Sequence, residues 1–208
     1  MPSRQEKQGL VRLAVFADTH GHKTAVDEAC RLAGPFDCLV HLGDGVEDGR
    51  AAAAAWGIPF RGVAGNEDFM SGEPERSTLE AAGWKILLIH GHQTDINPFQ
   101  PRAIFDEHLA TLSWMAEQEQ AEMLLFGHTH RAMIEKRGGL ILGNPGEMHP
   151  GSSQPPTFML ILALPNQATL RLMARKGKDA WAPEREETFT RRPDSTAGAG
   201  PGSFAPET

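Results

Sequence analysis

Three short stretches set carboxylate and imidazole side chains at alternate positions. Asp-Thr-His-Gly-His runs over 18–22, His-Gly-His over 90–92 and Gly-His-Thr-His over 127–130, each where an apolar run stops. Alternate residues of an extended chain point the same way. Each pair therefore reads either as two neighbours on one strand face or as two donors able to grip one ion. Gly43-Asp44 and Gly65-Asn66-Glu67-Asp68 also follow apolar runs. Packing alone gives no reason for five successive strand ends to release Asp, His or Asn. Glycine ahead of Asp44, Asn66 and His128 predicts tight backbone turns there.

The donors so placed are Asp18, His20, Asp44, Asn66, His90, His128 and His130, with no cysteine among them. Carboxylate, imidazole and amide oxygen form too hard a set for a thiolate zinc site. They suit Mn²⁺, Fe or a catalytic Zn²⁺ with open positions. Seven donors exceed the needs of one such ion and suit two, provided one carboxylate bridges. A pair of ions of this kind clamps a phosphoryl group and brings a shared water to ionise near neutrality.

The elements that must position these groups are legible in outline. Residues 10–17, 38–43, 58–65, 84–90, 123–127 and 157–164 are apolar runs of strand length bounded by turn residues. Their near-continuous apolarity predicts strands covered on both faces, as in an α/β or layered α+β sandwich. Helices are expected over 22–34, with Gly34-Pro35 as a stop, and over 101–120, with Pro101 near the start. Residues 133–137, 140–142 and 169–174 read as an antiparallel meander, with Gly138-Gly139 as a hairpin turn. By their positions, His22 starts a helix, His41 bonds or packs inside a strand, and His108 and His149 are ordinary helix and loop residues. Arg131 reads as solvated, and the four Trp residues as core or rim packing rather than a nucleic-acid stacking platform.

Composition sets the boundaries. The chain has 208 residues, enough for one domain that buries its own core. We expect a frayed polar segment over 1–9, a domain over 10–192 and a disordered tail rich in Pro, Gly and Ser over 193–208. Lys and Arg number 20 against 27 Asp and Glu, a net charge of −7, which argues against a bulk nucleic-acid-binding surface. No run approaches the ~20 apolar residues of a membrane span. The opening residues carry no apolar leader, and Cys30 and Cys38 match no zinc spacing and read as small buried hydrophobes. The expected setting is the cytoplasm, without a membrane partner.

In this order and at these strand ends, D-x-H, G-D, G-N, H-G-H and G-H-T-H resemble the motifs of the calcineurin-like metallophosphoesterase superfamily. The nearer likeness is to its small bacterial and archaeal phosphodiesterase branch, which includes the retromer scaffold subunit. The resemblance spans about residues 10–175. It implies an α/β/β/α four-layer sandwich of two mixed sheets flanked by helices, an α+β fold. It also implies two divalent transition-metal ions, Mn²⁺ first and Fe, Zn or Ni as alternatives. One ion takes Asp18, His20 and His130, the other Asn66, His90 and His128, and Asp44 bridges. The implied reaction is in-line attack on phosphorus by a metal-bridging hydroxide. The implied substrate is a small phosphate ester, nucleotide-like esters included.

The chain departs from the resemblance at two places. Glu67 stands where many members have the histidine thought to protonate the leaving group; it is either a substitute acid or a solvated side chain. Glu147 follows Asn144-Pro145-Gly146 where serine is usual, which removes a phosphate contact from that loop. His92, one alternate residue beyond His90, is a candidate for touching a phosphoryl oxygen or orienting a ligand. Asp44, Asn66, His92 and Glu67 are thus the expected catalytic group. Phosphodiesterase is the leading reading. The alternatives are a phosphomonoesterase and a catalytically weak or inactive interaction scaffold. The stretch Gln93–Glu122 is a candidate cap over the cleft or a surface for homo-oligomerisation.

Overall fold

A computed structural model describes residues 9–149, 151–152, 154–177 and 180–191. The expected frayed start, apart from Gly9, and the expected tail lie outside the described residues. Two sheets face each other. The first has the order β11-β10-β9-β1-β2-β3, with β1 at Val11–Phe16, β2 at Cys38–His41, β3 at Phe60–Gly62, β9 at Thr157–Leu164, β10 at Gln167–Arg175 and β11 at Trp181–Thr190. The second has the order β4-β5-β6-β8-β7, with β4 at Arg76–Ala81, β5 at Trp84–Ile89, β6 at Met123–Phe126, β7 at Met133–Arg137 and β8 at Leu140–Asn144. The helices are α1 (Lys23–Ala33), α2 (Val46–Trp56) and α3 (Arg102–Gln118).

The period of two sorts each central strand between two cores. Leu13 and Val15 of β1 join Ile86, Leu88, Leu125 and Ile161 in the core between the sheets. Ala14 and Phe16 turn outward onto Val26 and Ala29 of α1 and Ala52 of α2. Leu87 and Ile89 of β5 and Leu124 of β6 turn outward onto Leu109 and Leu112 of α3. Unbroken apolar runs are therefore what strands with two buried faces require. The result is the expected four-layer α/β/β/α sandwich. The Trp84 indole N–H donates to the Leu164 carbonyl (2.8 Å) and ties the second sheet to the first. Among the described residues, no helix is long and apolar enough to cross a membrane.

Three elements were not foreseen. α2 buries Val46, Gly49, Ala52 and Ala53, a face of small residues with little apolar periodicity. Strands β4 and β11 are sheet edges, largely exposed and rich in charge, so a hydrophobic pattern marks them poorly. The expected meander is corrected in part. Strands β7 and β8 do pair antiparallel, but β10 pairs with β9 and β11 in the other sheet.

Candidate metal centre

The parallel strands β1, β2 and β3 of one sheet and β5 and β6 of the other deliver the polar residues at their C-terminal ends, where loops converge on a ligand in open α/β sheets. Pairing continues past the strands. Asp18 N–H donates to the Gly43 carbonyl (3.0 Å), His20 N–H to the Asp44 carbonyl (3.1 Å) and Gly127 N–H to the His90 carbonyl (2.9 Å). The backbone then turns sharply, and the candidate ligands themselves take the strain. Asp18, His20, Asp44, His128 and His130 all have positive φ, between 44° and 64°. Left-handed backbone costs a non-glycine residue roughly 1–2 kcal/mol, and such strain gathers at functional sites.

This corrects the role expected of the glycines. Of the three preceding Asp44, Asn66 and His128, only Gly43 uses its freedom to adopt a positive φ, at 96°. Gly65 and Gly127 are needed for close approach. A Cβ on Gly65 would collide with Asp44 Oδ1, and one on Gly127 would lie 2.8 Å from the Ala17 Cβ and 3.0 Å from Asp18 Oδ2.

Two clusters result. Asp18, His20 and His130 form the first, and Asp44, His90 and His128 the second; within each, donor atoms lie within 4.8 Å of one another. Asp44 also groups with His20 and Glu67 on the same criterion, so its carboxylate stands between the clusters. Asp18 Oδ2 accepts the His128 N–H (3.0 Å), whereas Oδ1 is buried without a hydrogen-bond partner among the described residues. His90 Nδ1–H donates to the Leu42 carbonyl (2.6 Å), which leaves Nε2 buried, unpartnered and 3.3 Å from Asp44 Oδ2. Orphaned buried atoms of this kind are costly. Aimed at one another's space, a carboxylate oxygen and an imidazole nitrogen fit a shared cation.

Charge in the centre follows the same geometry. Burial works against ionisation of Asp44, but the approach of His90 and the N–H of Glu67 (2.8 Å to Oδ1) hold its carboxyl down at about 2. Burial also opposes the protonated form of His90, and the Asp44 and Asp18 carboxylates outweigh it and raise its pKa. Asp18 raises that of His130, whereas burial and the neighbouring His90 lower that of His128.

The remaining predicted residues fall around these clusters. Glu67 is largely exposed and places Oε2 2.9 Å from His20 Nδ1. Asn66 is exposed on the turn beside it and lines a cavity together with His92. The His92 ring lies 5.4 Å from that of His90 and 6.2 Å from that of His128. His22 starts α1 and donates from Nδ1 to the Met148 carbonyl (2.8 Å), a structural role. His41 is wholly buried; burial lowers its pKa to about 4, and the neutral ring bonds Thr19 Oγ1 and the Gly43 N–H. His149 is not an ordinary loop residue, since its ring packs edge-on against His20 with centroids 5.1 Å apart.

Sequence reasoning passed over three supporting carboxylates. Glu147 is buried and binds His130 Nδ1 at 2.8 Å, with its other oxygen accepting the Ser152 hydroxyl. Asp68 accepts four backbone N–H groups, from Asp44, Gly45, Val46 and Gly65, at 2.7–3.0 Å. Asp48 accepts the Thr19 hydroxyl (2.6 Å) and the Gly21 N–H (2.8 Å). The substitution of Glu147 for serine was the one available signal. Asn144, buried, clamps the last histidine block through the Gly127 carbonyl (2.9 Å) and Thr129 Oγ1 (3.1 Å).

Comparison with known proteins follows the same lines. The family model for the calcineurin-like phosphoesterase superfamily domain matches residues 11–166. The chain is 28% identical over 171 residues to "Probable metallophosphoesterase YsnB" of Bacillus subtilis, covering 81% of this chain and 94% of that one. The solved structure of a conserved uncharacterized protein, a predicted phosphoesterase, from Streptococcus pneumoniae aligns with a TM-score of 0.67 and 26% identity over 88% of this chain and 98% of its own. A single mutant of Vps29 from Entamoeba histolytica shares the fold, with a TM-score of 0.69 and 22% identity over 86% of this chain and 100% of its own. With its motif order, its four layers and its converging donors accounted for together, the chain belongs to the calcineurin-like phosphoesterase superfamily.

Proposed function

We propose that this protein is a phosphodiesterase that uses two divalent ions, Mn²⁺ first among them, to hydrolyse small phosphate esters. The observation that carries the reading is Asp44. Its carboxylate lies within 4.8 Å of donor atoms of His20 on one side and of His90 and His128 on the other, and two buried atoms without hydrogen-bond partners among the described residues, Asp18 Oδ1 and His90 Nε2, lie 4.0 Å apart. Asp18, His20 and His130 would hold one ion; His90 and His128, with Asn66 from the exposed turn, would hold the second, and Asp44 both. Bound there, such ions supply Lewis acidity toward phosphoryl oxygens and a water that ionises near neutral pH.

The chain's own groups do the positioning. The Leu42 carbonyl takes the Nδ1–H of His90, and the Glu147 carboxylate stands 2.8 Å from His130 Nδ1, so both rings present Nε2 to the centre. Glu67 does the same for His20 from the rim, which assigns it an orienting role rather than that of proton donor. With Glu67 engaged by His20, esters of good leaving groups are favoured. His92 stands at the edge of the second cluster, where it would meet a phosphoryl oxygen. The free cysteines Cys30 and Cys38 fit the cytoplasmic setting expected from the sequence.

The test is direct. Metal-stripped protein is reconstituted with Mn²⁺ and assayed on bis(p-nitrophenyl) phosphate and on p-nitrophenyl phosphate, as wild type and as Asp44→Asn. Diester turnover should exceed monoester turnover, require the metal and fall to background in the variant. Preference for the monoester would replace the diesterase reading with a phosphomonoesterase. Absent turnover of both would leave the scaffold reading, and metal-independent turnover would remove the two-ion reading.

A further inference from the structure

Two cavities open on opposite clusters of the candidate centre. One, of about 430 Å³, is bounded by Gly65, Asn66, Phe69, Met70, Glu75 and His92, and through His92 it adjoins His90 and His128. The other, of about 510 Å³, is bounded by His130, Arg131 and Glu147 beside the first cluster. Both volumes suit small organic groups.

The first cavity has an unusual wall. Phe69 is 86% exposed and Met70 fully exposed, two adjacent large apolar side chains at the mouth of a polar site. Scattered apolar residues on a surface need no explanation, but a pair beside a candidate catalytic centre does. Met70 is held there at φ 64°, a backbone state that a methionine does not favour.

The loop that presents them is braced at both ends. Asp68 ties its start to the backbone of residues 44–46 and 65. Arg50 pairs with Glu73 (2.7 Å) and donates to the Ser71 carbonyl (3.1 Å), which ties its end. Those bonds also occupy Asp68 and Glu73, so Glu75 is the acidic wall residue left facing the cavity. Among the described residues, neither lysine nor arginine lines it. A second phosphate is unwelcome in such a space, whereas an uncharged ring finds a Phe face and a polarisable thioether.

We propose that this cavity is the subsite for a neutral aromatic ester arm, an aryl or nucleobase ring, with Phe69 and Met70 as its specificity-determining residues. The proposal rests on the phosphoesterase reading of the adjoining centre. The second cavity, with Arg131 on its wall, is then left for the other, polar arm of a diester.

The test compares diphenyl phosphate with dibutyl phosphate, probes of equal charge that differ in their rings. Both are titrated into the zinc-loaded full chain carrying ¹³C-methyl methionine, with the Met70 signal assigned through Met70→Leu. Diphenyl phosphate should move the Met70 methyl signal by ring current and dibutyl phosphate should not. Phe69→Ala should weaken diphenyl phosphate about fivefold, the worth of one aromatic contact, and leave dibutyl phosphate within about twofold. Equal binding of the two probes, an unmoved Met70 signal, or an equal effect of Phe69→Ala on both would overturn the subsite. Ring binding at Met70 in a protein that hydrolyses no ester would retain the subsite and remove the phosphoesterase reading. Hydrolysis with a silent Met70 would do the reverse.

Discussion

The two halves of the candidate centre are built from the same donor types but are supported differently. In the cluster of Asp18, His20 and His130, two histidines lean on carboxylates, Glu67 at 2.9 Å and Glu147 at 2.8 Å. In the cluster of Asp44, His90 and His128, His90 leans on a backbone carbonyl and is wholly buried. A carboxylate behind an imidazole raises its basicity and fixes its tautomer more firmly than a carbonyl does. With two ions bound as proposed, the first cluster should therefore hold its ion more tightly. The second, with a cavity at its edge, should be the more exchangeable and the nearer to substrate.

The largest effect should come from the residue both halves share. Asp44→Asn should lower bound metal at both positions, read as metal content per chain after dialysis. If one full equivalent stays bound with unchanged affinity, Asp44 does not connect the halves. Next in size is Glu147→Gln. It should weaken the tighter ion about 10–100-fold in chelator competition and leave the weaker one alone. An equal loss at both positions would erase the distinction between the clusters.

Smaller effects separate the loops beneath. Asp68 holds the backbone around Asp44 and Gly65, whereas Asp48 holds that around Thr19 and Gly21. Asp68→Asn should cost about 2 kcal/mol in denaturant unfolding, the scale of hydrogen bonds to a charged group, and should loosen the second ion more than the first. Burial opposes ionisation of Asp68, but its four N–H donors win and lower its pKa. Its contribution is therefore present above the unfolded carboxylate range and lost as pH falls through the lowered folded value.

The last effect is a slope with pH. His41 is buried neutral with its pKa lowered to about 4 from an ordinary 6.5, so the unfolded chain takes up the proton first. Stability should be complete above about pH 6.5 and decline as pH falls toward 4. Unfolding of His41→Gln measured across that range should show a flatter profile. An unchanged slope would assign the decline to the carboxylates.

Strands β1, β2, β5 and β6 were legible because each is largely buried on both faces and ends where its apolar run ends, whereas β3, with Arg61 exposed, spans only Phe60–Gly62 of the run expected over 58–65. Strand β9 was read to the residue at 157–164, as was β7 at 133–137. α2 was not legible, because it packs through small residues: a Cβ on Gly49 would press on His41 at 2.9 Å, so a gap in side-chain volume, not an apolar stripe, makes that contact. Nor could the run over 169–174 announce its sheet, since both sheets offer an antiparallel neighbour.

By itself the sequence determined the candidate donors, their order along the chain and their place at strand ends, because residue type and the period of two are local properties. It also carried Glu147 as an anomaly without saying what the anomaly does. Only the tertiary structure decided that Glu147 backs His130, that Glu67 backs His20 and that His149 packs on His20. It also decided that the candidate ligands, not their preceding glycines, take most of the left-handed backbone. These are meetings between loops of different strands, fixed by how two sheets stack and how closely their ends approach. No periodicity along one segment records the distance to another.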